Sequence, residues 1–439
     1  MARPDMTRLA ILADDLSSAT DCGAQVVRSG LSVVVPLQGY SLPIQARAAQ
    51  VISLDTDSRS LSADRAYAKV MIAAQQLVTE GWTDFYKSVD STLRGNLGAE
   101  IEAVLDIVKP DCAIIAPAFP KYGRTTVDGV QYLHSRPLHE TEFGTDPTAP
   151  VRDADITRRL AEGSRRKAGR LTLDQLRAGL TQIKSAIQGL LADGIELVVV
   201  DIAEQDDLKR ICLSLSQSDL RVVWVGSTGL AEFVPFALGV TSTSNTFSQH
   251  HPLDPRPALA LVGSASETTR QQLGYAQTNN QLNITSLDPA RMIQNGTAAA
   301  AELEQAGSNL RAAIDLGYDA ALVVNASRDK IAATQQLGAK LSLSPAQVAQ
   351  WIVEGLAQAG SRLVREGRIS GIVATGGDTA NALCNALEAQ ALEILGEVEA
   401  GIPIMRLLGE QSLPLVTKAG GFGSPSAIRD ALVKVKQYV

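Results

Sequence analysis

The sequence predicts an α/β protein of two domains, each a mainly parallel sheet flanked by helices. Three observations carry that expectation. Short runs rich in Val, Ile and Ala recur along the 439 residues, and most are followed by apolar positions at helical spacing. An aperiodic stretch with three prolines, TSTSNTFSQHHPLDPRP at 241–257, divides the chain. Polar or glycine-rich turns close the runs, and open α/β sheets place their ligands at such carboxyl ends.

The runs in the first half lie at 9–13, 31–35, 51–54, 84–87, 112–116, 197–200 and 222–225. Their short length and near-continuous apolar character are those of strands buried on both faces by crossover helices. The second half begins with ALALVGSASETT at 258, continues through ALVVNAS at 321 and GIVATGGDTANAL at 371, and closes with LPLVTKAGGFGSPSAI at 413. Domain limits of 1–240 and 258–439 follow, with 241–257 as linker.

Composition narrows the function classes. With 45% hydrophobic side chains the chain can bury two cores of ordinary size. A net charge of −7 argues against a nucleic-acid surface. Cys22, Cys112, Cys212 and Cys384 are dispersed with no CxxC pair, the pattern of reduced thiols and not of disulfides or a zinc site. No apolar stretch of roughly 18 residues is present, so a membrane span is not expected. A soluble cytoplasmic protein is the expectation, and its oligomeric state stays open to a homo-oligomer.

Four polar sets close strands of the first half. Asp14 and Asp15 follow the first run, with Ser17, Ser18 and Thr20 placed to cap a helix starting near Ala19. Asp55 and Asp57 follow the third, with Arg59 beyond them. Lys87, Asp90 and Arg94 follow the fourth, and residues 117–124 the fifth. A single acidic pair is equally well explained as a helix cap or an ion pair. Four sets on one sheet edge point instead to a small anionic ligand, its hydroxyls held by carboxylates and its own carboxylate by Arg94 and Lys87.

Residues 123–147 are dense in polar and turn-forming side chains and read as a long functional loop. His134 and His139 within it read as solvent-facing or hydrogen-bonded. The basic residues Arg158, Arg159, Arg165, Arg166, Lys167 and Arg170 read as a solvated helix face without a role.

The second half carries glycine where the first carries acid. Gly263, Ser264, Ala265 and Ser266, then Gly376, Gly377, Asp378 and Thr379, then Gly420, Gly421, Phe422 and Gly423 each follow a predicted strand. Glycine lets the backbone approach a ligand, and successive N–H groups at a helix start bind phosphate. One such turn is weak evidence, whereas three favour a nucleotide. GxxxxGK[ST] and GxGxxG are both absent, which leaves a P-loop and a dinucleotide fingerprint unsupported. Lys418 is placed to neutralise phosphate charge and Asp378 to hold Mg2+ directly or through water.

The motifs ADDLSSATD (13–21), DTDSR (55–59), KSVDSTLRGNLGAEIEA (87–103), APAFPKYGRTTVDGVQYL (116–133), PLHETEFGTDP (137–147), GSTGLA (226–231), GSASETT (263–269), TGGDTA (375–380) and TKAGGFG (417–423) span nearly the whole chain. In them the sequence resembles the four-carbon acid sugar kinase family, whose members phosphorylate threonate, erythronate or 3-oxo-tetronate with ATP. The resemblance implies a sugar-acid domain followed by an ATP domain, with the active-site cleft between them. It implies Asp14 and Asp15 as catalytic and substrate-binding residues, with Asp57, Lys87, Asp90 and Arg94 as further substrate ligands. Ser264, Ser266, Gly376, Gly377, Asp378, Thr379, Lys418, Gly420 and Gly421 then fall to the nucleotide, with ATP and Mg2+ as cofactors.

Two departures bear on the substrate more than on the reaction. Asp14, Asp15, Leu16, Ser17, Ser18 and Ala19 stand where relatives carry DD-hydrophobic-TGA, and 151–173 keeps only Val151 and Arg152 of the usual PVRxSxL continuation. A branched or oxidised acid such as 3-oxo-isoapionate is the alternative substrate. A non-catalytic sensor of sugar acid and nucleotide is the alternative from another class.

Overall fold

A computed structural model of the chain describes residues 8–37, 43–146, 150–216, 218–240, 253–264, 266–280, 282–294, 296–325 and 327–438. The chain divides into two compact units, Met1–Thr246 and Phe247–Val439. Most of the expected linker, 241–252, lies outside the described residues, as does Ala265 of the first glycine turn.

The first unit carries β1 (Leu9–Ala13), β2 (Val33–Pro36), β3 (Val51–Asp55), β4 (Asp84–Ser88), β5 (Cys112–Ala116), β6 (Arg124–Val127), β7 (Val130–Leu133), β8 (Arg136–Pro137), β9 (Ala168–Leu171), β10 (Leu197–Val200) and β11 (Val222–Gly226). Eight of these form a sheet in the order β2-β3-β1-β4-β11-β5-β10-β9, with every pairing parallel. All five residues of β1 are buried, as a central strand covered on both faces requires. From β1 the chain builds β2 and β3 on one side, then crosses to β4 on the other. The β1/β4 boundary is therefore the topological switch point, and the carboxyl ends there carry Asp14, Asp15, Asp90 and Arg94.

Two local expectations are corrected. The first helix runs Leu16–Val27, not from Ala19, because Asp15 itself is the cap: its Oδ1 accepts the Ser18 amide at 2.7 Å. Residues 124–137 are not an open loop but an antiparallel sheet, β6-β7-β8. Its first turn is Asp128–Gly129, both at positive φ (53° and 75°), the backbone a two-residue hairpin demands and Asp-Gly supplies.

The basic run is corrected as well. It spans a short helix, Ile156–Ala161, and the start of β9. Arg166 ties that segment to the helix Leu97–Val108, with Nη1 on Glu102 at 2.8 Å and Nη2 on Asp106 at 2.9 Å. Gly98 on that helix lies so close to the segment that a Cβ would fall 2.3 Å from the Leu160 carbonyl oxygen.

The second unit carries β12 (Leu259–Val262), β13 (Asn283–Leu287), β14 (Ala320–Val324), β15 (Ile372–Thr375), β16 (Ala391–Glu399), β17 (Ile402–Leu408) and β18 (Pro414–Lys418). The order is β13-β14-β12-β15-β18-β17-β16, parallel through β18 and antiparallel over the last two. Here the reversal falls between β12 and β15, where two of the three glycine turns sit. Among the described residues no helix is long and apolar enough to cross a membrane.

Candidate functional site

At the first switch point the loop leaving β3 is stitched to the end of β1. The Thr56 amide and hydroxyl both donate to the Ala13 carbonyl, and the Ser58 and Arg59 amides donate to the Asp14 carbonyl. This brings the Arg59 guanidinium onto the acid pair. Its Nε and Nη2 donate to the two oxygens of Asp14 at 2.8 and 2.9 Å, Nη2 also reaches Ser18 Oγ at 3.0 Å, and Nη1 pairs with Asp15. Burial works against the charged guanidinium, but Asp14 and Asp15 outweigh it and hold the proton more firmly than usual. Gly95, at φ 88°, closes the other side, where a Cβ would stand 3.3 Å from Asp14 Oδ2.

Of the two acids at the end of β3, the structure brings Asp55 and not Asp57 to this cluster. Asp57 sits at φ 43° with its side chain 83% exposed and paired with Lys69 at 3.2 Å. Asp55 is pushed up to about 6 by burial and by the neighbouring carboxylates Asp15, Asp57 and Asp14, although it accepts the Asp57 amide at 2.6 Å.

Asp90 and Arg94 meet as the sequence suggests. Asp90 accepts from Thr92 Oγ1 and from Arg94 Nε, each at 2.5 Å. Burial alone raises a carboxyl, yet Arg59 and Arg94 together hold Asp90 below its ordinary value. The Arg94 guanidinium lies over the Phe143 ring, 5.6 Å from its centroid. Arg159, given no role by sequence, donates Nη2 to the Leu93 and Gly95 carbonyls and so fixes the turn that carries Arg94. Arg124, on β6, donates Nη1 to Ser91 Oγ at 2.6 Å.

Lys87 lies beneath the cluster, fully buried. Its three N–H groups reach the Leu12 and Ser88 carbonyls and Glu100 Oε2, at 3.2, 2.6 and 2.8 Å. Glu100 in turn accepts from Ser58 Oγ, which meets Thr56 Oγ1. An ammonium so enclosed must be saturated internally. The expectation that Lys87 offers charge to a ligand is thereby corrected: it ties β1, β4, the 56–58 loop and the helix Leu97–Val108 together.

In the second unit the three glycine turns follow the adjacent strands β12, β15 and β18, and they pack on one another. The Gly376 amide donates to the Lys418 carbonyl at 2.8 Å. A Cβ on Gly263 would lie 2.3 Å from Thr379 Oγ1, and one on Gly420 2.3 Å from Ser264 Oγ. Ser266 Oγ and Thr269 Oγ1 donate to the Gly420 carbonyl. The Lys418 ammonium donates to the carbonyls of Ala419, Gly420 and Phe422, at 2.9, 3.2 and 3.0 Å. Burial lowers it to about 8, with Glu399 opposing.

The carbonyls of the last turn are thus drawn inward, toward the lysine. The sequence places Lys418 to neutralise phosphate charge; in the structure its ammonium donors are committed to the carbonyls of its own turn. Gly376 takes φ 95° and opens the helix Gly377–Ala386, whose first turn holds exposed Asp378 with no ion pair among the described residues. Thr375 Oγ1 nearby is buried without a hydrogen-bond partner among the described residues. An unsatisfied hydroxyl, a left-handed glycine and a helix N-terminus together fit a phosphate-bearing ligand. No group of three or more His, Cys, Asp or Glu able to hold a metal occurs among the described residues.

The structure brings Asp14, Asp15, Asp90 and Arg94 together at the first switch point, with Arg124 of the 117–124 set beside them, and adds Glu100, Asp55 and Arg159, to which the sequence reading assigns no ligand role. The Asp-Gly pair at 128–129 was the one available signal for Arg124, since it marks the hairpin that carries it.

Comparison with known proteins gives two family models. A sugar-binding N-terminal domain matches residues 9–234 and a nucleotide-binding C-terminal domain matches 259–428. The chain is 31% identical to a D-threonate kinase of Salmonella typhimurium over 98% of its length and 99% of that protein. It is 31% identical to a D-erythronate kinase of Heliobacterium modesticaldum, over 96% and 95%. A crystal structure from Salmonella typhimurium LT2, described as that of a proposed tRNA synthase, superposes with a TM-score of 0.82 over 98% and 100% of the two chains. At 23% identity that likeness is one of fold alone.

Proposed function

Because the chain belongs to the four-carbon acid sugar kinase family, we propose that it transfers the γ-phosphoryl group of ATP to the terminal hydroxyl of threonate, erythronate or 3-oxo-tetronate. The observation that carries the reading is the Arg59 fork on Asp14 and Asp15 at the first switch point. Asp14 has both oxygens engaged by Arg59 and is buried, whereas Asp15 keeps a third of its side chain exposed while capping a helix. Asp15 therefore orients the acceptor hydroxyl and takes its proton, and Asp14 anchors the guanidinium beside it.

In the donor half, Ser264, Ser266, Gly376, Gly377, Thr379, Gly420 and Gly421 cradle the nucleotide, and Lys418 keeps the last turn in shape. Asp378, with the phosphates, would hold Mg2+, which when bound would neutralise charge developing on the γ-phosphoryl group. Little covalent work falls to the protein in such a transfer, so positioning and electrostatics dominate.

A panel of C4 and C5 sugar acids, including 3-oxo-isoapionate, assayed with ATP and Mg2+ for ADP release identifies the acceptor. ADP release with none of them, alongside normal ATP binding, contradicts the reading and favours a sensor. Asp15→Asn is expected to lower turnover by roughly 10²-fold. Turnover within about threefold of wild type in both Asp14→Asn and Asp15→Asn contradicts the base assignment.

A further inference from the structure

The cations around the acid-lined cluster are not equally neutralised. Arg59 faces Asp14 and Asp15, Arg94 faces Asp90, Arg159 faces Glu162, and Lys87 faces Glu100. Arg124 makes no ion pair among the described residues. Its Nη1 donates to Ser91 Oγ at 2.6 Å, and its Nε is buried without a hydrogen-bond partner among the described residues. The edge formed by Nε and Nη2 is the one that Arg59 uses to hold both oxygens of Asp14. On Arg124 that edge lacks a carboxylate.

The residue is held firmly in place. Ser91 sits between Asp90 and Thr92 on the turn that carries Arg94, and its carbonyl accepts Gln131 Nε2 from β7 at 2.9 Å. Gln131 Oε1 accepts Thr126 Oγ1 from β6, so the hairpin and the turn are locked together with Arg124 at their junction. Burial lowers its proton affinity; Asp90 works against that and Arg94 adds to it. An arginine stays protonated all the same. A fixed, half-buried guanidinium with an unused bidentate edge calls for an anion. Arg94 is less suited, because its Nε is already engaged by Asp90.

We propose that Arg124 is the specificity-determining residue for the acceptor's carboxylate, receiving it on the Nε and Nη2 edge while Ser91 holds the guanidinium in place. The inference rests on the sugar-acid kinase reading, and it moves to Arg124 the role that sequence alone gave to Arg94. An acid substrate is then distinguished from the neutral tetritol of the same length by one charge-assisted pair.

The test is equilibrium binding, by calorimetry, of the accepted sugar acid and of the matching tetritol to wild type, Arg124→Gln, Arg124→Lys and Ser91→Ala, with thermal melts of each. Arg124→Gln is expected to weaken the acid by about 10²-fold, the scale of a lost charge-assisted hydrogen-bond pair, while tetritol and ATP affinities stay within about threefold. Arg124→Lys should recover part of the loss, since it restores charge without the fork. Should Arg124→Gln fail to fold, Ser91→Ala carries the test, with acid KM raised about tenfold and kcat within about twofold. Acid affinity within threefold of wild type in Arg124→Gln, equal loss of acid and tetritol, or an unchanged acid KM in Ser91→Ala overturns the assignment. Wild type that binds the acid but never phosphorylates it overturns the kinase reading and leaves this assignment standing.

Discussion

Arg59 closes on Asp14 with two parallel hydrogen bonds, Nε to Oδ2 at 2.8 Å and Nη2 to Oδ1 at 2.9 Å, and its remaining nitrogen turns to Asp15. Asp14 is almost wholly buried, so it depends on that fork for its solvation. Arg59→Ala is expected to cost about 3 kcal/mol in urea unfolding, since a buried carboxylate is left unpaired. It should also lower kcat/KM by at least about 10²-fold. Arg59→Lys should recover stability more than activity, because an ammonium cannot span two carboxylates with a fixed fork.

Asp55 makes stability depend on pH in a defined direction. Its carboxyl is raised from an ordinary 3.8 to about 6 in the folded chain. A raised acid binds its proton more tightly when folded, so its contribution is fully present below pH 3.8 and is lost as pH rises through about 6. Asp55→Asn removes that loss. The variant should match wild type near pH 4 and exceed it at pH 7 by up to roughly 3 kcal/mol, at about 1.4 kcal/mol for each tenfold change in proton affinity. Equal pH dependence of the two urea midpoints contradicts this.

Lys418 sets a second pH dependence, in nucleotide binding. With the ammonium lowered to about 8, it carries its charge at neutral pH and loses it above. Deprotonation removes one of the N–H groups that hold the carbonyls of Ala419, Gly420 and Phe422. ATP affinity should therefore fall as pH rises through about 8. In Lys418→Arg, which stays charged, that inflection should vanish whatever the absolute affinity.

The Lys87–Glu100 pair is a buried ion pair, so removing one member is worse than removing both. Lys87→Met alone is expected to cost about 3–5 kcal/mol, whereas Lys87→Met with Glu100→Leu should regain a large part of it. A double variant no more stable than the single one would show that the 2.8 Å contact is not coupled.

How far the site was legible depends on the distance over which each side chain finds its partner. Asp14 and Asp15 end a five-residue apolar strand, and the glycines at 376 and 420 follow others, so strand period and turn chemistry place them. Asp55 and Asp57 share one motif, and the choice between them turns on the last residue of β3 and on a positive φ at Asp57 that no propensity predicts. Lys87 looks like a free charge until Glu100, one turn into the next helix, is seen beneath it. Arg124 meets Ser91 across 33 residues of chain, through a hairpin that polar composition disguised as a loop. Local pattern found the elements and their ends; long-range packing decided which charges are neutralised and which remain.

The central claim is that this chain moves a phosphoryl group from ATP to a sugar acid. Its most direct measurement is transfer of label from γ-radiolabelled ATP, with the wild-type protein, Mg2+ and threonate, erythronate or 3-oxo-tetronate, followed by separation of the products. Label should appear on the organic acid in an amount equal to the ADP formed, at a rate at least about 10²-fold lower with Arg59→Ala. Label found only as inorganic phosphate, or retained wholly in ATP with every acid supplied, would contradict it.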